Sequence, residues 1–545
     1  MRASYAAERD RSRAPRPAVA QGASIPPPIE GWDAISPVQS MKPTRAIKLE
    51  NWFPQLSWVE LRRGSTRYAT LDEVDPVETV MSYQGASDTA LFAASGTSIW
   101  DITPGGKINT AIVAGLTNAR WQHSNFAGTG GDFLYIVNGA DDPHYYDGTT
   151  WNTATITGTG IDATAFIHVQ PHKGRLWFAI RDTSDAAYLA PDSVQGTATK
   201  FPVGANWKMG GFLMAVMSWS IDGGAGPDDY LCFLSSRGEV SVYTGTNPAS
   251  DFALVGTYYI GPPIGRRCFT KVGADIAILS IDGVVPLSKA MVFERAALPK
   301  VSMTANIQRI VNQSTRAYLD NYGWQLISYP SGTRAILNVP VVENETQEQY
   351  VMNTLSGAWC RFIGQNAVCW ELYGDDLFYG GNNGVINQAD RGSTDDNAVI
   401  AYDMECAFNY VGARGINKRF TLCRPLLTTD QTISPSVALN VDFQENAPLA
   451  VASTPSTQAA LWDQALWDNA LWASGLVTQS IWINVAGIGY CASIRMAINI
   501  GPQNQNAALW GIARWGHDTW TVGSRADITL QVNGFDLLYE KGAFV

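Results

Sequence analysis

Two histidines, His168 and His172, stand four residues apart. On a helix that spacing puts both imidazoles on one face, where they can share a metal ion. Pro171 lies between them and their flanks are rich in β-formers, so a strand carrying ordinary polar positions is expected instead. The run Asp222-Gly223-Gly224-Ala225-Gly226-Pro227-Asp228-Asp229 could wrap a calcium ion in carboxylates, but it lacks the full ligand spacing of a calcium loop. Its simpler reading is a glycine-rich turn with solvated acids. Asp141-Asp142 and Asp395-Asp396 read as turn residues. Glycosidases need two carboxylates at a fixed separation, and no acid here is marked out for that role. The chain contains no Gly-x-Ser-x-Gly elbow, no Walker loop and no His-Glu-x-x-His. Seven scattered cysteines, Cys232, Cys268, Cys360, Cys369, Cys406, Cys423 and Cys491, form no C-x-x-C pair and point to buried reduced thiols. No catalytic, cofactor-binding or metal-ligating residue is therefore assigned, no cofactor is expected, and an enzyme is not the expected class.

The elements that would carry these residues are almost all strands. A short β-run, a glycine turn and a second β-run recur, as in Leu91 to Ile102, Phe133 to Trp151, Leu231 to Tyr243 and Ile276 to Val284. Asn138-Gly139, Asp147-Gly148, Asp222-Gly223 and Asp282-Gly283 supply the positive φ that tight hairpins require. The units return every 35 to 55 residues or so, the spacing of four-stranded blades. The expected fold is all-β: a β-propeller of six or seven blades or an incomplete ring, with a series of β-sandwiches as the alternative. Most of the 19 Trp, 21 Tyr and 19 Phe fall inside β-runs, as blade cores require, rather than forming a sugar platform. Met303 to Leu319 has rough helical spacing and reads as an insertion between blades.

The proposed domains are an extended Pro-rich arm (1–50), the propeller (51–400) and a C-terminal β-rich platform or nozzle domain (401–545). In the last, Trp462, Trp467 and Trp472 recur every five residues, a period that neither helix nor strand places on one side. They are candidate contacts to another surface of this domain or to another subunit.

Charged residues make up 16% of the 545, and the net charge is −11. The charge is unevenly distributed. Residues 1–16 carry +3 and the remainder −14. Arg9, Arg11 and Arg13 are candidate contacts of an arm gripping a neighbour. The acidic body disfavours a nucleic-acid clamp but suits a surface that nucleic acid slides past. No run of about 20 apolar residues is present, so no membrane span is expected. The charged first residues contain no apolar leader core, so synthesis in a cytoplasm is expected.

Several blocks, in order, resemble the tail nozzle (tubular tail) proteins of short-tailed bacteriophages. They are Ile25-Pro26-Pro27-Pro28-Ile29-Glu30-Gly31-Trp32-Asp33, Met41-Lys42-Pro43, Leu49-Glu50-Asn51-Trp52-Phe53-Pro54 and Leu61-Arg62-Arg63-Gly64. Val137-Asn138-Gly139, Tyr146-Asp147-Gly148 and Lys173 to Phe178 follow. Then come Met209-Gly210-Gly211 through Trp219, Asp222-Gly223-Gly224, Ser235 to Val240, Tyr243 to Pro248 and Gly261 to Arg267. Met352-Asn353, Gly357-Ala358-Trp359 and the Leu-Trp-Asp tract complete the set. The resemblance implies a homohexameric ring in the virion tail, below the portal adaptor. Such a ring extends the conduit for double-stranded DNA and anchors fibres, spikes or a plug, with no enzymatic activity. The alternatives are a glycan-binding or depolymerising propeller, and a receptor-binding adhesin at the tail tip.

Overall fold

Glycine turns and short apolar runs close into small antiparallel sheets. The computed structural model describes residues 20–222, 227–430, 433–448, 451, 453–455, 476–501 and 528–542. Val77–Gln84, Thr89–Ser95, Ser98–Asp101 and Val113–Ala114 make the first four-stranded sheet. Gln122–Gly128, Gly131–Val137, His144–Tyr146 and Trp151–Thr153 make the second. Phe166–His172, Arg175–Ile180, Ala186–Tyr188 and Thr199–Phe201 make the third. Leu213–Asp222, Pro227–Ser235, Glu239–Thr244 and Ala253–Tyr259 make the fourth. The fifth has three strands, Phe269–Val272, Asp275–Ser280 and Gly283–Pro286. The sixth begins with Gln325–Tyr329, Arg334–Val342, Thr346–Asn353 and Trp359–Ile363. The seventh joins Cys369–Tyr373, Asp376–Gly380 and Val385–Ala389 to Ser65–Leu71, from near the start of the chain.

Contacts run from each leading strand to the next sheet, the fourth reaching the fifth through Asp275–Ser280. Cys369–Tyr373 of the seventh returns to Val77–Gln84 of the first. The protein is thus a closed propeller with seven blades among the described residues, which decides between the six and seven expected. Ser65–Leu71 is the clasp. It is made before the first blade and completes the last.

Blade packing explains the sequence texture. Second strands such as Phe133 to Val137 and Leu231 to Leu234 are nearly all apolar because neighbouring blades cover both faces. The core is accordingly a series of inter-blade clusters. Met81, Phe92, Trp121 and Leu134 join the first and second blades. Tyr135, Phe166 and Phe178 join the second and third. Trp177, Phe233 and Tyr243 join the third and fourth. Val80, Leu91, Phe378 and Ile386 join the seventh to the first. The helix expected near Met303 to Leu319 is Gln308–Tyr318, preceded by a 3-10 turn at Ala305–Ile307, and it lies between the fifth and sixth blades.

The sixth blade does not end at its fourth strand. Trp359–Ile363 pairs in parallel with Ala46–Glu50, whose other edge pairs with Ile400–Cys406. Ala492–Gly501 and Ser436–Val441 extend the same sheet. A second platform sheet pairs Leu530–Lys541 with Lys418–Thr429, Val59–Leu61 and Gln21–Ile25. Residues 20–50 of the expected arm are therefore extended but docked: Ile25 is 1% exposed and Trp32 7%.

A polar seam locks platform to propeller. Arg62, fully buried, forms a two-pronged ion pair with Asp395 (3.0 and 2.5 Å) and donates to the Ile363 carbonyl at 2.9 Å. Its Nε donates to Asn51 Oδ1 at 2.7 Å, and the Ile363 N–H donates to the same oxygen. Asn51 Nδ2 donates to the Ala401 carbonyl, and Asn353 Nδ2 to that of Pro54. The Trp32 N–H donates to Trp359, whose indole donates to the Met303 carbonyl. Gly31 (φ 77°) lies so close that a Cβ would stand 2.5 Å from the Trp359 oxygen.

Candidate functional site

The leading strands bring polar side chains to the axis. His168 and His172 lie on Phe166–His172, a strand, so their four-residue spacing does not make a metal pair. Both are buried, and burial lowers each imidazole to about 4, which leaves both neutral at pH 7. His168 Nδ1 accepts from the Val216 N–H at 3.4 Å. His172 Nδ1 lies 3.0 Å from Ser218 Oγ, within reach for a nucleophile–base couple. An imidazole held near 4 is a weak base at neutral pH, and His172 Nε2 has no hydrogen-bond partner among the described residues to orient the ring. Elsewhere on the axis Ser82 Oγ donates to Glu371 Oε1 at 2.7 Å, and His123 Nε2 is 3.3 Å from Glu371 Oε2. The carboxylate stands between serine and histidine, so the histidine does not address the serine.

At the end where the leading strands begin, the axis opens into a cavity of ≈ 270 Å³. Its wall includes Asn118 and Arg120 before the second blade, Arg266 and Arg267 before the fifth, and Tyr322 before the sixth. Arg120 is neutralised by Glu78 and Glu343, each at 2.9 Å. Its guanidinium lies 4.2 Å from the Tyr322 ring centre, and that of Arg267 lies 5.8 Å away. Arg267 donates to Thr79 Oγ1 and to the carbonyls of Glu78 and Trp121. Arg266 donates to the Asn138 carbonyl at 2.9 Å. Burial pulls Arg266 below the usual arginine value against the opposing effect of Tyr322; the neighbouring guanidinium groups of Arg181 and Arg120 add to the lowering, and Asp182 opposes it least. This cluster is not legible in the sequence because its members lie in three separate loops, before the second, fifth and sixth blades. Only the Arg266-Arg267 doublet was visible.

Of the expected turn acids, Asp141 lies in a bend and Asp396 in a turn, whereas Asp395 forms β-bridges to Ser65 and Ala398 and is 8% exposed. Asp141 accepts from Thr117 and Asn138, and these hydrogen bonds outweigh burial and hold its carboxyl below the usual range. Asp395 and Asp396 bind Arg62 and Arg67. Of the Asp222–Asp229 loop, residues 223–226 lie outside the described residues, as do Arg9, Arg11, Arg13, Trp462, Trp467 and Trp472. Among the described residues no cluster of His, Cys, Asp and Glu could hold a metal ion, and no helix is long and apolar enough to cross a membrane.

No family model and no curated protein matches the chain. Among solved structures it is similar to Raptor of Chaetomium thermophilum, at 10% identity over 61% of this chain and 29% of Raptor, with a TM-score of 0.36. Sqt1 of Saccharomyces cerevisiae gives 10% identity, 60% and 99% coverage and 0.35. BBS1N, solved in complex with ARL6DN, gives 10%, 61% and 99%, and 0.36. Scores this low carry no argument about function, and the fold rests on the closed ring described above.

Proposed function

We propose that this chain is a structural virion protein, the tail nozzle of a short-tailed bacteriophage. In this reading copies form a sixfold ring below the portal adaptor, prolong the conduit for double-stranded DNA and anchor fibres, spikes or a plug. One observation carries the reading. Of the blocks that resemble nozzle proteins, three near the start of the sequence, Gly31-Trp32, Asn51 to Pro54 and Leu61-Arg62, meet the distant Met352 to Trp359 at the polar seam. Residues of this kind hold two bodies in fixed relation, which is what a ring subunit that anchors other tail parts needs. Two further features support it. Leu476, Val477, Ile481, Trp482, Ile488 and Tyr490 are exposed on and beside two edge strands of the platform, a surface suited to burial against another subunit. The −14 body would repel phosphate and let duplex DNA slide.

Projection images and mass measurement of the purified protein, alone and with the adaptor ring, test the proposal. The expected result is a sixfold particle, six times the chain mass, around an open channel. A protein that stays monomeric in both samples overturns it.

A further inference from the structure

We propose that the axial cavity at the head of the leading strands is a binding site for a small dianion carrying a phosphoryl group, with Arg266 as its principal ligand. The inference is independent of the assembly proposed above. It starts from charge balance. In a chain of net charge −11, arginines normally find carboxylates, and most of those described here do. Arg266 and Arg267 are adjacent, half-buried and on the wall of one cavity, and among the described residues neither forms an ion pair. Their hydrogen-bond acceptors are neutral: carbonyl oxygens and the Thr79 hydroxyl.

The nearby acids are otherwise engaged or face solvent. Glu78 and Glu343 are taken by Arg120, and Glu343 also accepts from the Tyr322 N–H. Asp320 is exposed at the rim. Asp182 is 79% exposed and lies 3.9 Å from Arg181. Arg181 itself donates to the Gly139 carbonyl, next to the Asn138 carbonyl that holds Arg266. Two half-buried cations without a resident counter-charge are an unfavourable arrangement that a dianion would relieve.

Geometry selects the ligand class. A guanidinium presents its N–H groups as a planar fork that matches a phosphoryl or carboxylate edge. With one nitrogen fixed on Asn138, the rest of the Arg266 fork is left for the cavity. Asn118 Oδ1 accepts from the Arg120 N–H, and its amide nitrogen has no partner among the described residues, so it adds a neutral donor on the same wall. Two unpaired cations favour a dianion over a monoanion. A cavity of ≈ 270 Å³ exceeds a lone phosphate and leaves room beside the Tyr322 ring for an organic portion. The phosphoryl group could thus come from free phosphate or from a phosphate monoester.

Isothermal calorimetry on the full chain, with inorganic phosphate, ribose 5-phosphate and acetate, distinguishes these sources. The expected result is one phosphate per chain, with acetate at least tenfold weaker. An ester that binds more tightly than phosphate assigns the ligand to a phosphate monoester, and equal binding assigns it to free phosphate. Arg266→Met and Arg266→Lys should each weaken binding at least tenfold, the second because it keeps the charge and loses the fork. Asn118→Asp, which supplies a carboxylate without touching an arginine, should do the same and covers the case of Arg266→Met failing to fold. Arg424→Met, which removes an arginine from the platform, should leave binding unchanged. Absence of phosphate binding to the unaltered protein, or equal binding by Asn118→Asp and both Arg266 variants, overturns the proposal.

Discussion

Arg62 is the most consequential single side chain described. A buried charge is tolerable only while its partner and its hydrogen bonds are in place, and Arg62 reaches Asp395, Asn51 and the Ile363 carbonyl at once. Arg62→Met leaves Asp395 without its counter-charge and should cost about 3–5 kcal/mol of stability in urea denaturation. Arg62→Met combined with Asp395→Leu should recover much of that loss, because neither charge then remains buried. The axial histidines give a second residue-scale expectation. His168 and His172 take up a proton near 6.5 when unfolded but only near 4 when folded. Between those values the unfolded chain binds more protons, so stability is full above about pH 6.5 and declines as pH falls toward 4. The slope should be about 1.4 kcal/mol per pH unit for each histidine. Denaturation midpoints at pH 7, 6 and 5 measure it, and His168→Gln should roughly halve it.

Among the elements, the clasp strand and the seam loops carry most of the architecture. In Ser65–Leu71, Ala69 is paired on both edges, to Ile386 and to Gly106. A proline there cannot donate to a ladder, and Ala69→Pro should lower stability by roughly 3 kcal/mol. Limited proteolysis should then cut first between the first and seventh blades. At the seam, Gly31→Ala would drive a methyl into the Trp359 backbone at a positive φ, and should cost about 1–3 kcal/mol in the same denaturation assay. The blades were legible in the sequence because each is a local hairpin series whose turns and apolar runs are contiguous. The clasp was not, since its partner strand is distant and its own alternation resembles any edge strand. Nor was the seam, because a buried Arg62 looks the same in sequence as an exposed Arg63 beside it. The axial cavity was illegible for a similar reason: its walls are loops from several blades, which only ring closure brings together. The strand that carries the histidine pair was legible, because Pro171 and its flanks carry strand information locally.

At the scale of the whole molecule, burial predicts thiol chemistry. All seven cysteines are buried and free, and burial raises the Cys369 thiol to about 11 and those of Cys268 and Cys423 to about 12. A chromogenic disulfide reagent should therefore find no reactive thiol in the native protein and seven in denaturant. The clasp has a further consequence, for synthesis. Ser65 meets Tyr379 across 314 residues, and Arg62 meets Asp395 across 333. At ribosomal rates the clasp strand and its arginine wait roughly 15–65 s for partners that do not yet exist. During that interval the nascent chain presents an unpaired strand and an open ring of blades, so chaperone occupancy on translating ribosomes should rise with the first blade and fall only when the seventh emerges.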